Sequence, residues 1–393
     1  MMTGRYHGSV ARSLGYSFLR PIGKRVEELA RGFKGKLERE TVPLEVTALL
    51  DQATALIAKE EWGAALESAR HAAVLVEDTR NEVARRAVGV VLVRLGDCQR
   101  GLRLSAVSVR LAGGGPPEWA GEDLAGRTLA VVQRTDEDMG GPIRMARFIA
   151  EAVRRAGHCV VIVEYRLVPL FQRNFPTADV RPIRQWHAVD AAGADFVTSF
   201  ETLAGACVTD WQSMAATYVP LCADPDQKAQ FARIYRAAAG EPVVGLSWGS
   251  KNGRKDMPDL ASWATFVATF PATFVSMQYG PIAAAVRQLR NGRSDKLIWD
   301  KSVDQMVDMD CFAAQVASFD AVISISNTAA HLAGALDVPT VVIREDRSAG
   351  LYPLTGSGSG WYPRMELLRR RGRDWNVVMA EAAESLRKAL GSR

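Results

Sequence analysis

The segment from residues 319 to 343, FDAVISISNTAAHLAGALDVPTVVI, constrains the fold most strongly. Residues 321–325 are apolar and rich in β-branched side chains, which is typical of a buried parallel strand. Three residues of helix N-cap type follow, and residues 329–336 then favour a helix. Pro339 ends that helix, and residues 340–343 form a second apolar run. The segment therefore predicts a strand–turn–helix–strand unit with polar residues where the helix begins.

Two interpretations of those polar residues, Ser326, Asn327 and Thr328, remain open. The first amides of a helix and its dipole attract anions, so the turn could bind a group such as a diphosphate. Alternatively, the unit is an ordinary crossover in which serine and asparagine only cap the helix.

The distribution of charge argues against a nucleic-acid-binding face. The chain has 393 residues, 48% of them hydrophobic and 24% charged, as expected of a soluble protein with two or three domains. Residues 1–40 hold nine lysines or arginines and four acids, an excess equal to the formal net charge of +5 of the whole chain. The rest is therefore neutral, and no nucleic-acid partner is expected.

The cysteines and the hydropathy pattern point to the cytoplasm. The five cysteines are scattered and form no C-x-x-C pair, so we expect reduced thiols and no structural zinc. No apolar run is long enough to span a membrane. The basic tail, residues 1–40, is expected to make at most a peripheral membrane contact.

A small helical module is predicted at residues 41–112. Apolar and small residues recur at helical spacing through residues 44–76, and a third helix is expected at residues 81–95. The pattern resembles a tetratricopeptide helical pair followed by one more helix. Because a single such repeat is rarely stable alone, we expect it to dock on the next domain, where it could bind a protein partner.

Strands and helices alternate through the remainder of the chain. This pattern predicts two Rossmann-like α/β domains, at residues 127–239 and 241–373, that face each other across a cleft. A final helix within residues 374–391 is expected to return to the N-terminal domain. Strand predictions for the first domain are residues 128–133, 159–164, 180–183 and 195–200, and for the second 243–248, 273–279, 296–299, 321–325 and 340–343.

Several phrases in order along the chain resemble the GT-B glycosyltransferases of the heptosyltransferase-like type, which are often fused to tetratricopeptide repeats. The matching phrases are VVGLSWGSKN, FVSMQYG, CFAAQVASFDAVISISNTAAHLAGAL and WYPRMELLRRRGRDW, with RLVPLFQRNFP and ADFVTSFETL in the first half. The resemblance covers roughly residues 125–390. It implies a GT-B fold and transfer of a sugar from a nucleotide-diphosphate donor, which is gripped mainly by the C-terminal domain.

The resemblance also implies which residues contact the donor. The start of the helix after residue 325 matches the diphosphate-binding position, and His331 in its first turn could donate to a phosphate oxygen. Lys251 offers a cation to the leaving diphosphate. The alternatives are a buried structural histidine and a solvated loop lysine. The predicted donor-binding residues are Ser247, Trp248, Ser250, Lys251, Gln278, Tyr279, Ser326, Asn327, Thr328, Ala329 and His331.

The general base is expected in the turn after the first strand of the N-terminal domain, because attack by a hydroxyl requires proton removal. The family has a Gly-x-Gly-Asp type of turn there, and this chain reads TDEDMGGPIRMARF. Gly140 matches the pattern, but Gly141 stands where the acid is expected. The catalytic candidates are therefore Asp136, Glu137 and Asp138, with Asp138 favoured; the alternative is a merely solvated acidic turn.

No metal and no cofactor are expected. Asp308-Met309-Asp310 imitates the D-x-D pattern of metal-dependent glycosyltransferases, but it directly precedes a helix that an aspartate would cap. The resemblance also implies that amides and basic side chains, rather than a metal, meet the charge of the leaving group.

Two functions from different classes compete. The chain is either a glycosyltransferase acting on a protein or saccharide acceptor, or a catalytically silent relative that binds nucleotide sugars or proteins as a scaffold. Gly141 in the altered turn favours the second interpretation. The matching phrases in the C-terminal half are compatible with both interpretations. A GT-B-fold sugar-nucleotide epimerase is a more distant third interpretation.

Overall fold

The architecture consists of a helical module followed by two α/β domains. It is seen in a computed structural model, which describes residues 42–106, 115–133, 139–183, 193–238, 241–250, 256–290, 296–344 and 351–391. In those ranges no helix is both long and apolar enough to cross a membrane.

The described helices and strands fall into three groups. The first comprises α1 Leu44–Ala58, α2 Trp62–Val76, α3 Glu82–Leu95 and α4 Cys98–Ser105. The second comprises β1 Thr128–Val132, α5 Gly140–Met145, α6 Ile149–Arg155, β2 His158–Val163, α7 Val168–Asn174, β3 Asp179–Pro182, β4 Phe196–Ser199, α8 Phe200–Cys207, α9 Trp211–Ala216 and α10 Pro225–Ala238. The third comprises β5 Val243–Ser247, α11 Leu260–Thr269, β6 Thr273–Ser276, α12 Ala283–Arg290, β7 Leu297–Ile298, α13 Met309–Ala317, β8 Ala321–Ile325, α14 Thr328–Ala335, β9 Thr340–Arg344, β10 Met365–Arg369 and α15 Trp375–Gly391.

The helical module packs through small residues. Successive helices contact one another, and α4, which the sequence did not predict, follows a left-handed Gly96 (φ 102°) that ends α3. A Cβ atom on Gly89 of α3 would lie 2.5 Å from the carbonyl oxygen of Gly101 in α4. The two helix backbones therefore approach each other in a way that only glycine permits. The assignment to a tetratricopeptide repeat stays a prediction.

The module docks on the N-terminal α/β domain through α4. That helix contacts α8, and the amide of Gln99 donates to the carbonyl oxygen of Thr209 at 3.1 Å. Cys98 and Leu102 of α4 are buried in the same core as Leu129 of β1. As expected, the helical module leans on the N-terminal α/β domain, because α4 shares a hydrophobic core with it.

The two α/β domains contain separate parallel sheets among the described residues. The first has the strand order β3-β2-β1-β4, and the second has the order β10-β9-β8-β5-β6-β7. Read from its other edge, the second order is that of a Rossmann fold, with its topological switch between β5 and β8. The sequence predicted the first four strands and the five strands β5 to β9. It missed β10, an edge strand whose Glu366 and Arg369 interrupt the apolar pattern.

The C-terminal helix α15 corrects one expectation. It was predicted to return to the N-terminal domain, but it packs on β8, β9 and β10 of the C-terminal sheet. Val378, Ala382 and Leu386 of α15 are fully buried there, in one core with Ile323 of β8. The sheet face beneath α15 is apolar, so covering it removes more apolar surface from water than an exposed return across the molecule.

The two domains pack closely on each other. In the described residues α5 contacts α14, α7 contacts α13, and α10 contacts α13. The amide of Leu221 donates to the carbonyl oxygen of Ala335 at 2.7 Å. Asp310 accepts a bidentate pair of hydrogen bonds from Arg173 of the N-terminal domain. The helix that begins at Thr328 therefore lies at the domain interface, as its predicted role requires.

The close approach of α3 and α4 gives a stability prediction. Alanine is the better helix former by about 1 kcal/mol, but Gly89→Ala places a methyl group against backbone, which cannot move aside cheaply. Overpacking of this kind costs about 1–3 kcal/mol, so we expect a lower melting temperature by circular dichroism. Gly63→Ala in α2, where a Cβ meets nothing within 4 Å, is the matched control and should be neutral or stabilising. Equal behaviour of the two variants would contradict this packing.

Candidate functional site

The candidate site lies at the topological switch of the C-terminal sheet. The strands β5 and β8 are neighbours, yet the chain continues from them towards opposite edges of the sheet. In open α/β sheets the loops at the carboxyl ends of such strands diverge, and ligands bind in the crevice between them. Ser247 is the last residue of β5, and Asn327 follows β8 by two residues. Gln278 follows the next strand, β6, at the same edge.

Hydrogen bonds join these three strand ends. The Asn327 Nδ2 group donates to Ser247 Oγ at 2.8 Å. The Gln278 Oε1 atom accepts from Ser247 Oγ at 3.2 Å and from the amide of Gly249 at 2.8 Å. The sequence predicted all three side chains as donor-binding residues, and the structure brings them together. We call Ser247, Gln278 and Asn327 the strand-end junction.

Asn327 also fixes the start of α14. Its Oδ1 atom accepts from the amide of Ala330 at 3.1 Å, so it is the N-cap of the helix. Because Oδ1 serves as the cap, Nδ2 must be the group that faces Ser247. One amide side chain thus orients the helix and connects it to the neighbouring strand end.

The start of α14 is open enough to meet a ligand. Ser326, Asn327 and Thr328 are half-buried, whereas Ala329 is buried. The first amides of an α-helix have no partner within the helix, and its dipole adds positive potential there. Trp248 is buried, and Ser250 and Tyr279 are half-buried near the ends of β5 and β6. The crevice therefore offers backbone and side-chain donors suited to an anion.

His331 occupies a different environment from the predicted one. Its Nε2 atom lies 3.3 Å from the hydroxyl of Tyr352, and its Nδ1 atom lies 3.3 Å from the hydroxyl of Tyr362. The ring is stacked on Tyr352 and is buried. Both ring nitrogens thus lie within hydrogen-bond distance of tyrosine hydroxyls, which helps to fix α14, and the contact of His331 with a phosphate oxygen stays a prediction. The alternative of a buried histidine fits, with tyrosine hydroxyls in place of a backbone carbonyl.

Tyr362 connects this histidine to the N-terminal domain. Gly334 lies one turn after His331, and a Cβ atom there would be 2.5 Å from the Tyr362 ring, so only glycine lets the ring reach α14. On the other side of Tyr362 is Arg147, whose Cζ atom lies 5.4 Å from the ring centre. Burial raises the pKa of the Tyr362 hydroxyl well above its usual range, which keeps it neutral.

Arg147 is a buried cation at the domain interface. It lies in a 3-10 turn (Ala146–Phe148) between α5 and α6, and its Cζ atom is also 5.1 Å from the Tyr218 ring and 5.8 Å from the Trp361 ring. Its guanidinium donates to the carbonyl oxygens of Trp361 and Met214. Burial lowers the pKa of Arg147, and the aromatic faces and carbonyl oxygens offset that cost. We call Arg147, Tyr218, Trp361 and Tyr362 the aromatic cage.

Four predicted site residues lie outside the described part of the chain. They are the three acids Asp136, Glu137 and Asp138, and the loop lysine Lys251. The neighbouring Gly140 and Gly141 are described and begin α5, which contacts α14. Gly141, which stands where an acid was expected, therefore lies in a helix that packs on α14.

The D-x-D pattern has a structural role, as its position before a helix suggested. Asp308 is the N-cap of α13 and accepts from the amides of Asp310 and Cys311, each at 2.9 Å. Asp310 is paired with Arg173. In the described ranges, no group of three or more histidine, cysteine or acidic side chains could hold a metal ion.

Sequence reasoning missed the residues that fix α14. Arg147, Tyr352 and Tyr362 are far from one another in the chain, and none lies in a periodic pattern that marks it as special. The signal that existed was compositional: Arg147, with Arg144, interrupts a largely apolar helical stretch, and the aromatic residues lie in or beside a Gly- and Ser-rich loop. Neither of these signals shows which residues contact each other until the fold is known.

Comparisons with known proteins give a fold but no family membership. No family model matches the chain. Protein FlbA of Caulobacter vibrioides is 27% identical over 310 residues, which cover 70% of this chain and 48% of FlbA. This chain therefore spans about half the length of that relative.

Solved structures of glycosyltransferases resemble it. The ADP-heptose LPS heptosyltransferase II of E. coli has a TM-score of 0.50 and 11% identity, covering 67% of this chain and 98% of that one. A glycosyl transferase of family 9 from Veillonella parvula has a TM-score of 0.49 and 11% identity, covering 69% and 99%. The likeness to the E. coli protein, together with the two parallel sheets, shows that the chain has the GT-B fold of glycosyltransferases.

The aromatic cage gives a second stability prediction. Arg147→Lys keeps the charge but loses the planar group that stacks on three rings and donates to two carbonyl oxygens. Each buried carbonyl left unpaired costs about 1–3 kcal/mol, so we expect a lower midpoint in urea. Arg154→Lys, at an exposed position, is the matched control and should change stability by less than about 0.5 kcal/mol. Wild-type stability of Arg147→Lys would show that the cage does not hold the interface.

Proposed function

We propose that the protein is a glycosyltransferase that moves a sugar from a nucleotide-diphosphate donor to a protein or saccharide acceptor. The observation that carries this proposal is the strand-end junction at the switch point of the C-terminal sheet, beside the first turn of α14. In this proposal the donor would lie beside that junction, between the two domains of the GT-B fold. The cysteines are free thiols, which suits the cytoplasmic location that we also propose.

The donor would be held through its phosphates by α14. The amides of its first turn and the side chains of Ser326 and Thr328 would donate to phosphate oxygens. Lys251 follows Ser250 in the chain and would supply a positive charge to the leaving diphosphate without a metal. Trp248, Gln278 and Tyr279 lie around the ends of β5 and β6, where a nucleoside would extend along the sheet edge. His331 would reach a phosphate oxygen only by giving up one of its two tyrosine contacts.

The acceptor would enter from the N-terminal side, where the acidic residues 136–138 immediately precede α5. A carboxylate there would remove the proton from the attacking hydroxyl as the bond to the diphosphate breaks. Three adjacent acids repel one another, which favours a raised pKa in one of them. Asp138 is nearest to Gly140 and is our candidate for the base. The helical module α1–α4 lies against this domain and would bind a protein acceptor or partner.

A specific observation favours a second candidate function. Gly141 stands where an acid was expected, and the helix that contains it, α5, packs directly on α14. A catalytically silent relative would keep the donor crevice and bind nucleotide sugars or proteins without transfer. The two proposals share their donor site and differ in turnover, so binding and transfer must be measured separately.

Donor binding can be tested at Asn327. Asn327→Asp keeps the N-cap oxygen but removes the Nδ2 donor and places a negative charge where we put the phosphates. Repulsion between the new carboxylate and the phosphates, at about 1.4–2.8 kcal/mol, corresponds to roughly 10- to 100-fold weaker binding. The measurement is calorimetry with a panel of nucleoside diphosphates and nucleotide sugars. Asn81→Asp, the same exchange at the N-cap of α3, is the matched control and should bind as wild type does. Unchanged affinity of Asn327→Asp would place the phosphates elsewhere.

Transfer can be tested at Asp138. Candidate acceptors are incubated with nucleotide sugars, and mass spectrometry detects the added sugar. Removing a general base lowers turnover by roughly 10²- to 10⁴-fold, so Asp138→Asn should transfer far more slowly while its donor affinity stays close to wild type. Asp226→Asn, in the exposed first turn of α10, is the matched control. Wild-type turnover of Asp138→Asn would exclude this base, and donor binding without any transfer would favour the silent relative.

A further inference from the structure

The sheet of the N-terminal α/β domain continues beyond its outermost strand, beside the helical module. Residues 117–119 form a short parallel bridge with β4, which is the last strand in the order of that sheet. The amide of Trp119 donates to the carbonyl oxygen of Val197 at 2.8 Å, and the amide of Val197 donates to the carbonyl oxygen of Pro117 at 3.0 Å. In this pattern Glu118, between the two contacts, turns its own N–H and C=O groups away from β4. We call residues 117–119 the bridge segment.

The outer side of the bridge segment is open. Glu118 is exposed, and among the described residues its amide and its carbonyl oxygen have no hydrogen-bond partner. The chain then turns away from the sheet, because the amide of Ala120 donates to the Glu122 carboxylate at 2.7 Å and Gly121 has a φ of 119°. Unpaired main-chain groups at a sheet edge are a template for one more strand. Since this edge is short, it suits a short peptide rather than a second sheet.

A cleft of about 250 Å³ lies between the bridge segment, the helical module and α8. The module contributes the two positive charges of the cleft, on α3 and on α4, and the α/β domain contributes the open edge. An occupant would therefore contact both units at once. The residues that line the cleft include Arg85, Arg103, Ala106, Glu118, Trp119 and Thr202.

The two arginines give the cleft a preference for a negatively charged occupant. The Nη2 atom of Arg85 donates to the carbonyl oxygen of Arg103 at 3.4 Å, and its Nε atom is buried without a partner in the described part of the chain. Residues 107–114, between α4 and the bridge segment, lie outside the described ranges and include no aspartate or glutamate. Glu118 opposes the preference only in part, because its side chain is exposed. A carboxylate matches the guanidinium fork through charge-assisted hydrogen bonds.

We propose that this cleft binds an extended acidic peptide of a protein partner. The peptide adds a strand to the open edge at Glu118 and places a carboxylate against Arg85 and Arg103. Strand addition gives affinity through main-chain hydrogen bonds, and side-chain pockets beside the edge give specificity. Because successive side chains of a strand alternate in direction, one acidic side chain enters the cleft while its two neighbours point away. The proposal specifies the partner of the helical module and does not depend on sugar transfer.

Fluorescence anisotropy of a dye-labelled peptide, STVDVTS, added to the whole protein tests the proposal. The comparison peptides are STVNVTS, STVKVTS and a form of STVDVTS that is N-methylated at the two valines. We expect STVDVTS to bind roughly 10-fold or more tightly than STVNVTS, and STVKVTS to bind more weakly still. N-methylation keeps the charge but removes main-chain donors, so it should abolish strand addition. Added salt should weaken the binding of STVDVTS more than that of STVNVTS.

Two variants of one residue test the main-chain contact. Glu118→Pro removes the N–H group that points away from β4 and leaves both hydrogen bonds with Val197 in place. It should bind STVDVTS roughly 10-fold or more weakly than wild type. Glu118→Gln, the matched control, keeps that N–H group and removes one negative charge, so it should bind at least as tightly as wild type. If Glu118→Pro does not fold, the N-methylated peptide tests the same contact.

Two further variants test the charge. Arg85→Gln and Arg103→Gln should each weaken the binding of STVDVTS by roughly 10-fold and leave the binding of STVNVTS unchanged. Arg80→Gln changes the charge of the module by the same amount at an exposed residue outside the lining of the cleft, so it is the matched control and should bind STVDVTS as wild type does.

Three results would overturn the proposal. The first is equal affinity for STVDVTS and STVNVTS, or binding of neither. The second is wild-type affinity for STVDVTS in Glu118→Pro or in Arg85→Gln. The third is self-association that Glu118→Pro abolishes, without peptide binding, because a second copy of this chain would then occupy the edge. Donor binding and sugar transfer are measured without these peptides, so a failure of the proposed glycosyltransferase activity remains distinguishable from a failure of peptide binding.

Discussion

The arrangement of the two α/β domains depends on a buried positive charge in the aromatic cage. Arg147 comes from the N-terminal domain, and Trp361 and Tyr362 come from the C-terminal domain. Tyr362 in turn contacts His331 in the middle of α14. A cation that is taken out of water needs partners around it. Here those partners are the groups that hold α14, so the charge in one domain fixes the position of the helix of the candidate site in the other.

The candidate site itself rests on the two ends of one amide side chain. Asn327 caps α14 with its oxygen and joins the end of β5 with its nitrogen. This double use explains why the crevice is preorganised, because neither the helix nor the strand end can turn without breaking a hydrogen bond of the other. Preorganised donors are the feature that an anionic ligand or a leaving diphosphate uses most effectively, since they need not be reoriented when the charge arrives.

Sequence reasoning succeeded where the determinants are local. The apolar run 321–325, the N-cap residues after it and the stop at Pro339 predicted β8, α14 and the start of β9. The resemblance to glycosyltransferases, rather than the residues alone, grouped Ser247, Gln278 and Asn327 in one predicted site. It failed where the determinants are distant in the chain. Nothing in the pattern around His331 shows that Tyr352 and Tyr362 lie beside its ring. The destination of α15 was also missed, since an amphipathic stripe does not identify the face that it covers.

The packing of α15 has a consequence for the order in which the molecule can be completed. This helix covers β8 and β9, so that apolar face of the C-terminal sheet remains exposed to solvent until residues 375–391 have been synthesised. Domains generally fold as units from the N-terminal end during synthesis. The helical module and the first sheet can therefore fold early, whereas the domain with the candidate site cannot complete its core before its last helix is present. Until then the C-terminal sheet exposes apolar surface that can aggregate with other chains. A chaperone would therefore protect the growing chain most during this interval.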